Sequence, residues 1–369
     1  MKNKKISWIT PLCYVDVDLP IIKELQNVYD IYWFVILNSK DGENTKKYIE
    51  ETLGENKNVH ISYMWQIHRM RSLKNLFFVV NLMLKARKVK PDVYYTSEYA
   101  LPFGVFFYKL IFPIKKTIAA CHNVVTPKGA SNERFAKFYT NIWLSTFKNI
   151  QTFSVNQYNS LVAKYRAKNV LVAHLALKDY GEPVARTKSD KIRFLFFGNI
   201  VRYKRIDLLL KAVYILNNKG IDNFVVKIAG SCNDWDEKYA PLIECPDKFM
   251  LDIRRIPNES VANLFGESDY FVMPYQDIAQ SGAITVAFRY NIPVLCSDIE
   301  QFSEFVIDGK TGFLFKTMDE NALAQKMEWI IKNHNIIYDE IRSYEQQFVN
   351  DNFSLKSIIS KYKHYIDNL

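Results

Sequence analysis

Short apolar runs alternate with helix-length amphipathic stretches along almost the whole chain, and few architectures accommodate that pattern. Strands separated by helices pair in parallel through crossovers, which places helices on both faces of the sheet. In the first half the predicted strands are Ile6–Thr10, Ile31–Leu37, Val59–Tyr63, Val93–Thr96, Thr117–Ala120, Ile150–Ser154 and Val170–Ala173. Helical patterns fall between them at Leu19–Val28, Thr45–Leu53, Ser72–Lys88, Val105–Ile111 and Asn156–Tyr165. A polar, non-periodic segment, KDYGEPVARTKSDK at 178–191, interrupts the alternation and is the predicted linker.

The alternation restarts at Arg193. FLFFGN reads as a buried strand with a glycine at its carboxyl end, and IDLLLKAVYILNNKG as an amphipathic helix closed by Gly220. FVVKIAGS, FMLDIRRI, YFVMP and PVLCS supply four more strands, and FSLKSIISKYKHYIDNL a last amphipathic helix. A chain of 369 residues exceeds what one core usually supports. The expected fold is α/β, with two doubly wound Rossmann-like domains facing a central cleft. The first spans 1–177 and is completed by the helix at 353–369, and the second spans 192–352.

Charge and cysteine content narrow the setting. The net charge of +10 suits nucleic acid, an anionic membrane surface or phosphorylated ligands. The five cysteines are scattered without C-x-x-C spacing, as in a reduced cytoplasmic protein with neither disulfide framework nor metal site. The N-terminal stretch is interrupted by Asp16 and Asp18 and fits a first strand better than a signal peptide. No apolar run is long enough to span a membrane. HRMRSLKNLFFVVNLMLKARKVK carries seven Lys or Arg and no acid, and FFYKLIFPIKK adds a second apolar-basic stretch. Both fit a peripheral contact with anionic lipid at the inner membrane face, or equally helices with solvated basic ends.

Ligands of open α/β sheets bind outside the carboxyl ends of the strands. After the strand at FLFF, Gly198 leaves room for a turn, Asn199 follows, and Arg202, Lys204 and Arg205 crowd one loop suited to a diphosphate. In AQSGA, Ser281 is a good N-cap, and the backbone N–H groups at Gly282 and Ala283, with Gln280 before them, make a second anion site. In SDIEQFSEFVIDGKTGFLF, Glu304 faces the cleft or pairs with a lysine, and DGKTG reads as a hairpin turn. In the first half, His122 and Asn123 end the strand TIAAC. His122 could hydrogen-bond a substrate hydroxyl, help hold charge, or be a loop histidine. Asp16, Asp18 and Glu98 are candidates for an acceptor hydroxyl, although Asp18 reads better as a helix cap with Pro20 near the first turn. His174 reads as structural.

The order FFGN-x3-YK-x2-DLLLKA, IAG, IPNESVANLFGESDYFVMPY, QSGA-x3-A-x4-IPV and SEFVIDGKTGFLF resembles the donor half of retaining glycosyltransferases of the GT-B fold, family 4. The resemblance is dense from Arg193 to Lys316 and looser before it. It implies a nucleotide-diphosphate sugar as donor, a saccharide or lipid-linked saccharide as acceptor, no cofactor and no metal. It implies too that Lys204 contacts the diphosphate and that His122 lies near the reacting sugar. The helix at 353–366 is similar to the family's terminal helix, which returns to the first domain. The family arginine after the glycine is Asn199 here, with Arg202 as the candidate substitute, and the usual glutamate pair is replaced by Ile278 and Val286. The loop thus looks like a Q-S-G variant of the family. Its setting would be surface polysaccharide or glycan assembly. Two other classes compete. A sugar-nucleotide epimerase shares the architecture but needs carboxylates placed for proton abstraction. A nucleic-acid binder needs aromatics interleaved with Lys and Arg on one module, and none is evident.

Overall fold

The computed structural model describes residues 3–38, 42–54, 58–68, 72–97, 104–126, 133–165, 168–185, 189–278 and 281–369. Glu98 and Gln280, both candidate site residues, lie outside them, as do Arg69 and Arg71 of the basic stretch. The chain divides into two compact units. One holds the chain up to Ala176 together with Leu355–Leu369, and the other Leu177–Ser354.

In the first unit β1 (Lys5–Pro11), α1 (Val15–Leu25), β2 (Asp30–Asn38), α2 (Gly42–Leu53), β3 (Val59–Gln66), α3 (Leu73–Lys88) and β4 (Val93–Thr96) follow one another. They continue as α4 (Gly104–Ile111), β5 (Thr117–Ala120), α5 (Glu133–Thr146), β6 (Asn149–Thr152), α6 (Val155–Lys164) and β7 (Asn169–Val172). The parallel sheet runs β3-β2-β1-β4-β5-β6-β7 and reverses its order of growth between β1 and β4. Strand β2 shows why both faces are covered. Ile31, Trp33, Val35 and Leu37 join one core with Trp8 and Tyr95, whereas Phe34 and Ile36 join the other with Trp143.

The second unit holds β8 (Ile192–Phe197), α7 (Ile206–Asn218), β9 (Phe224–Ala229), α8 (Trp235–Lys238), β10 (Phe249–Asp252) and α9 (Asn258–Gly266). Then come β11 (Tyr270–Met273), α10 (Gly282–Arg289), β12 (Val294–Ser297), β13 (Gly312–Phe315) and the long α11 (Glu320–Phe353). Its parallel sheet runs β10-β9-β8-β11-β12-β13, with the reversal between β8 and β11. The last helix, α12 (Leu355–Asp367), returns to the first unit, where Ile358, Tyr362 and Ile366 enter the core. Tyr362 Oη there accepts a hydrogen bond from Gln151 Nε2 at 2.5 Å.

Several local expectations need correction. DGKTG is a turn, but it leads into the edge strand β13, which pairs in parallel with β12, so no hairpin forms. Helix α1 begins at Val15, behind an N-cap at Tyr14, so Pro20 lies inside it and Asp18 is not a cap. Helix α5 escapes the sequence reading: Phe135 and Phe138 in its first turns are exposed, whereas Tyr139 and Trp143 further along are buried. The start of the expected linker is strapped to the second unit. Asp179 and Glu182 both pair with Arg289 at 2.8 Å, and the Val184 N–H donates to Asn263 Oδ1 at 2.7 Å. Among the described residues, no helix is long and apolar enough to cross a membrane.

Candidate active site

The reversal of strand order between β8 and β11 opens a crevice at the carboxyl edge of the second sheet. At the end of β8, Gly198 turns the chain at φ +109°, and its N–H donates to the Ala229 carbonyl at 2.9 Å. A Cβ on Gly198 would stand 2.9 Å from Lys204 Nζ. Glycine is therefore required on two counts, backbone conformation and room for the ammonium. At the end of β9, Gly230 approaches so closely that a Cβ there would meet the Gly198 carbonyl oxygen at 2.0 Å.

The three cations of the following loop have different fates. Arg205 holds φ +48° and is clamped to Asp207, with contacts of 2.9 and 2.6 Å. Arg202 is exposed and lines a surface pocket of about 820 Å³ with Asp207, Asp234 and Lys238. Lys204 does not line that pocket. It is only 9% exposed, and its Nζ lies 5.3 Å from the Tyr275 ring centroid and 5.9 Å from that of Phe196. No carboxylate lies within ion-pair distance of Lys204 among the described residues, and burial pulls its ammonium down to about 8. A buried cation without a counter-charge is costly, and aromatic faces offset only part of that cost. Such a group suits an anion that arrives from outside.

The loop after β11 adjoins this turn, because the Gln276 N–H donates to the Tyr203 carbonyl at 2.9 Å. Tyr275 is buried and its hydroxyl makes no hydrogen bond. Ser281 occupies the N-cap of α10 and is buried, but its side chain caps no N–H, contrary to the capping role expected of it. Gly282 and Ala283 form the first turn and are half-buried. Lys178, which the sequence reading left in the linker, has its Nζ 3.5 Å from where a Cβ on Gly282 would sit. The ion pairs of Asp179 and Glu182 with Arg289, and the hydrogen bonds that the Tyr290 hydroxyl accepts from the Tyr180 N–H and donates to the Gly181 carbonyl, tie its segment to the second unit. Ile278 and Val286, at the positions of the missing glutamate pair, are both buried in the core. Asn199 is exposed and accepts from Ser231 Oγ at 2.8 Å. Glu304 is half-buried in the turn after β12.

In the first unit, His122 follows β5 and is stacked between Tyr14 at 3.6 Å and Phe153 at 4.3 Å, ring centroid to centroid. Burial lowers its pKa to about 3, which favours the neutral imidazole. Its backbone carbonyl accepts from Gln157 Nε2 at 2.9 Å, while its Nε2 is buried without a hydrogen-bond partner. Asn123 beside it is exposed, and Asp16 is exposed in the first turn of α1. Asp18 instead sits fully buried at the β1/β4 reversal. Its Oδ2 accepts from Trp8 Nε1 at 3.0 Å, Thr10 Oγ1 at 2.6 Å and Ser97 Oγ at 2.8 Å. It therefore meets no acceptor hydroxyl. Desolvation outweighs those hydrogen bonds and raises its pKa to about 6. No cluster of three or more His, Cys, Asp or Glu side chains is placed to hold a metal ion among the described residues.

Residues 182–348, which carry the Lys204 and α10 loops, match the family Glycosyl transferases group 1. The fold is that of GT-B glycosyltransferases. A glycosyltransferase from Rickettsia africae superposes with a TM-score of 0.75 at 16% identity, covering 100% of this chain and 99% of the other. HepE of Anabaena, crystallised with UDP and glucose, superposes at 0.74 and 12% identity with both chains fully covered. A UDP-N-acetylglucosamine 2-epimerase from Listeria monocytogenes also shares the fold, at 0.65 and 13%. In sequence, the capsular polysaccharide biosynthesis glycosyltransferase CapM of Staphylococcus aureus is 24% identical over 152 residues, 40% of this chain and 39% of that one. The chain spans less than half the length of the curated relatives it matches.

Proposed function

We propose that this protein transfers a hexosyl group from a nucleotide-diphosphate sugar to a saccharide or lipid-linked saccharide, with retention and without a metal ion. The observation that carries this reading is the buried, uncompensated ammonium of Lys204 against Gly198, inside the segment that matches group 1 glycosyl transferases.

As the bond between the anomeric carbon and the diphosphate oxygen breaks, negative charge develops on that oxygen. Lys204 and the first-turn N–H groups of α10 would stabilise it without reorganising, the work a divalent ion performs elsewhere. The acceptor hydroxyl would attack from the face the diphosphate leaves, passing its proton to a departing phosphate oxygen. Neutral His122 would use its unpartnered Nε2 to hydrogen-bond a sugar hydroxyl. Epimerisation would require a carboxylate that reaches the substrate, and Asp18 is fully buried. Five scattered cysteines without C-x-x-C spacing suit a cytoplasmic setting, and a peripheral position at the membrane would give access to lipid-linked acceptors in surface polysaccharide assembly.

A thermal-shift panel of UDP-, GDP- and ADP-sugars on wild type and Lys204→Ala tests the donor site. One nucleotide class should stabilise the wild type and not the variant. No stabilisation by any of them, or equal stabilisation of the variant, would overturn the reading.

A further inference from the structure

Three neighbouring helices of the first unit, α3, α4 and α5, each turn large apolar side chains to solvent at helical spacing. Phe77 and Leu84 stand two turns apart on α3, Phe106 and Leu110 one turn apart on α4, and Phe135 and Phe138 one turn apart on α5. These six are between 41% and 75% exposed, although α3 packs on α4 and α4 on α5. Single exposed apolar residues are ordinary, but paired rows on three helices packed in series are more than a soluble surface normally keeps.

The charges beside these rows select what covers them. Helices α3 and α4 carry Lys74, Lys85, Arg87, Lys88 and Lys109 and not one acidic residue, and α5 adds Arg134 and Lys137 against Glu133. Arg87 Nη1 donates to the Ile111 carbonyl at 2.9 Å, which draws the basic end of α3 to the end of α4. Lys115 and Lys116, both exposed, follow immediately. We infer that this face docks on an anionic lipid bilayer, with the phenylalanines and leucines entering the interface and the lysines meeting headgroup phosphates. A second copy of the chain would set its own basic rows against these, and like charges would oppose that contact. The inference gives the peripheral setting proposed above a definite surface, and it stands or falls apart from the donor site, whose residues lie in the other unit.

Co-sedimentation with vesicles tests it, comparing pure phosphatidylcholine with an equimolar mixture of phosphatidylglycerol and phosphatidylcholine. The wild type should bind the anionic vesicles and release them as salt rises, and should leave the neutral ones largely unbound. Phe106→Ser/Leu110→Ser and Lys88→Glu/Lys109→Glu should each weaken binding about tenfold or more. Because these positions are exposed, both variants should keep the wild-type melting profile, which excludes misfolding as the cause. Equal binding to both vesicle types, or binding unchanged in both variants, overturns the inference. So does a dimer by light scattering that the Phe106→Ser/Leu110→Ser variant abolishes. Loss of the donor-induced thermal shift with vesicle binding intact would instead contradict only the transferase reading.

Discussion

Lys204 and Asp18 are both buried charges, and their surroundings give them opposite uses. Asp18 has three donors on one oxygen, which is how a structural carboxylate is held. Asp18→Ala would strand those donors and should cost about 2–4 kcal/mol in denaturant unfolding, with Asp18→Asn costing less. Its folded pKa of about 6 exceeds the ordinary aspartate value, so its contribution is complete below the unfolded value and is lost as pH rises through about 6. Asp18→Asn should flatten stability across that window. Gly198→Ala is predicted to strain the backbone by about 1–2 kcal/mol and to displace the Lys204 ammonium, abolishing the donor-induced thermal shift. Lys204 was legible because its loop follows a strand and a glycine within a few residues. The role of Asp18 was not, because its partners lie on β1 and beyond β4. Lys178 was hidden for the same reason, since its neighbours Asp179 and Glu182 are strapped to the distant Arg289.

At the level of elements, the strands were read almost to the residue wherever both faces of the sheet are buried and the run is continuously apolar. Some misreadings occurred where exposure breaks the pattern. Phe135 and Phe138 are exposed in the first turns of α5, so its apolar residues do not all mark the buried side. In α11 a polar composition conceals a buried row, Ile341, Glu345, Val349 and Phe353, spaced four residues apart. Glu345 sits in that row with both carboxylate oxygens unpartnered, and burial raises its pKa well above the usual range. Replacing it by leucine completes the apolar row and should raise stability by about 1–3 kcal/mol. Because the native carboxyl is held protonated, the gain should grow as pH rises above the unfolded pKa of glutamate. Denaturant melts of Glu345→Leu at acidic and neutral pH check both statements.

The whole molecule keeps its two units chemically distinct, yet the chain crosses between them twice, since α12 belongs to the first. That helix supplies Ile358, Tyr362 and Ile366 to the core that holds the Trp8–Tyr95 stack. Ending the chain at Ser354 should cost the first unit about 5 kcal/mol or more, from three buried side chains at roughly 1.5–3 kcal/mol each. Calorimetry should show that unit melting earlier while donor-induced stabilisation of the second unit survives. The central claim is that Lys204 is a buried ammonium awaiting the donor's diphosphate, and isothermal titration of the cognate nucleoside diphosphate against pH tests it most directly. Because its ammonium titrates near 8 in the free protein, affinity should fall as pH rises through that value, with proton uptake on binding there. In Lys204→Met, affinity should be weak and flat across the same range. A wild-type affinity that does not change through that pH, or a variant that binds as tightly and with the same slope, would contradict the account.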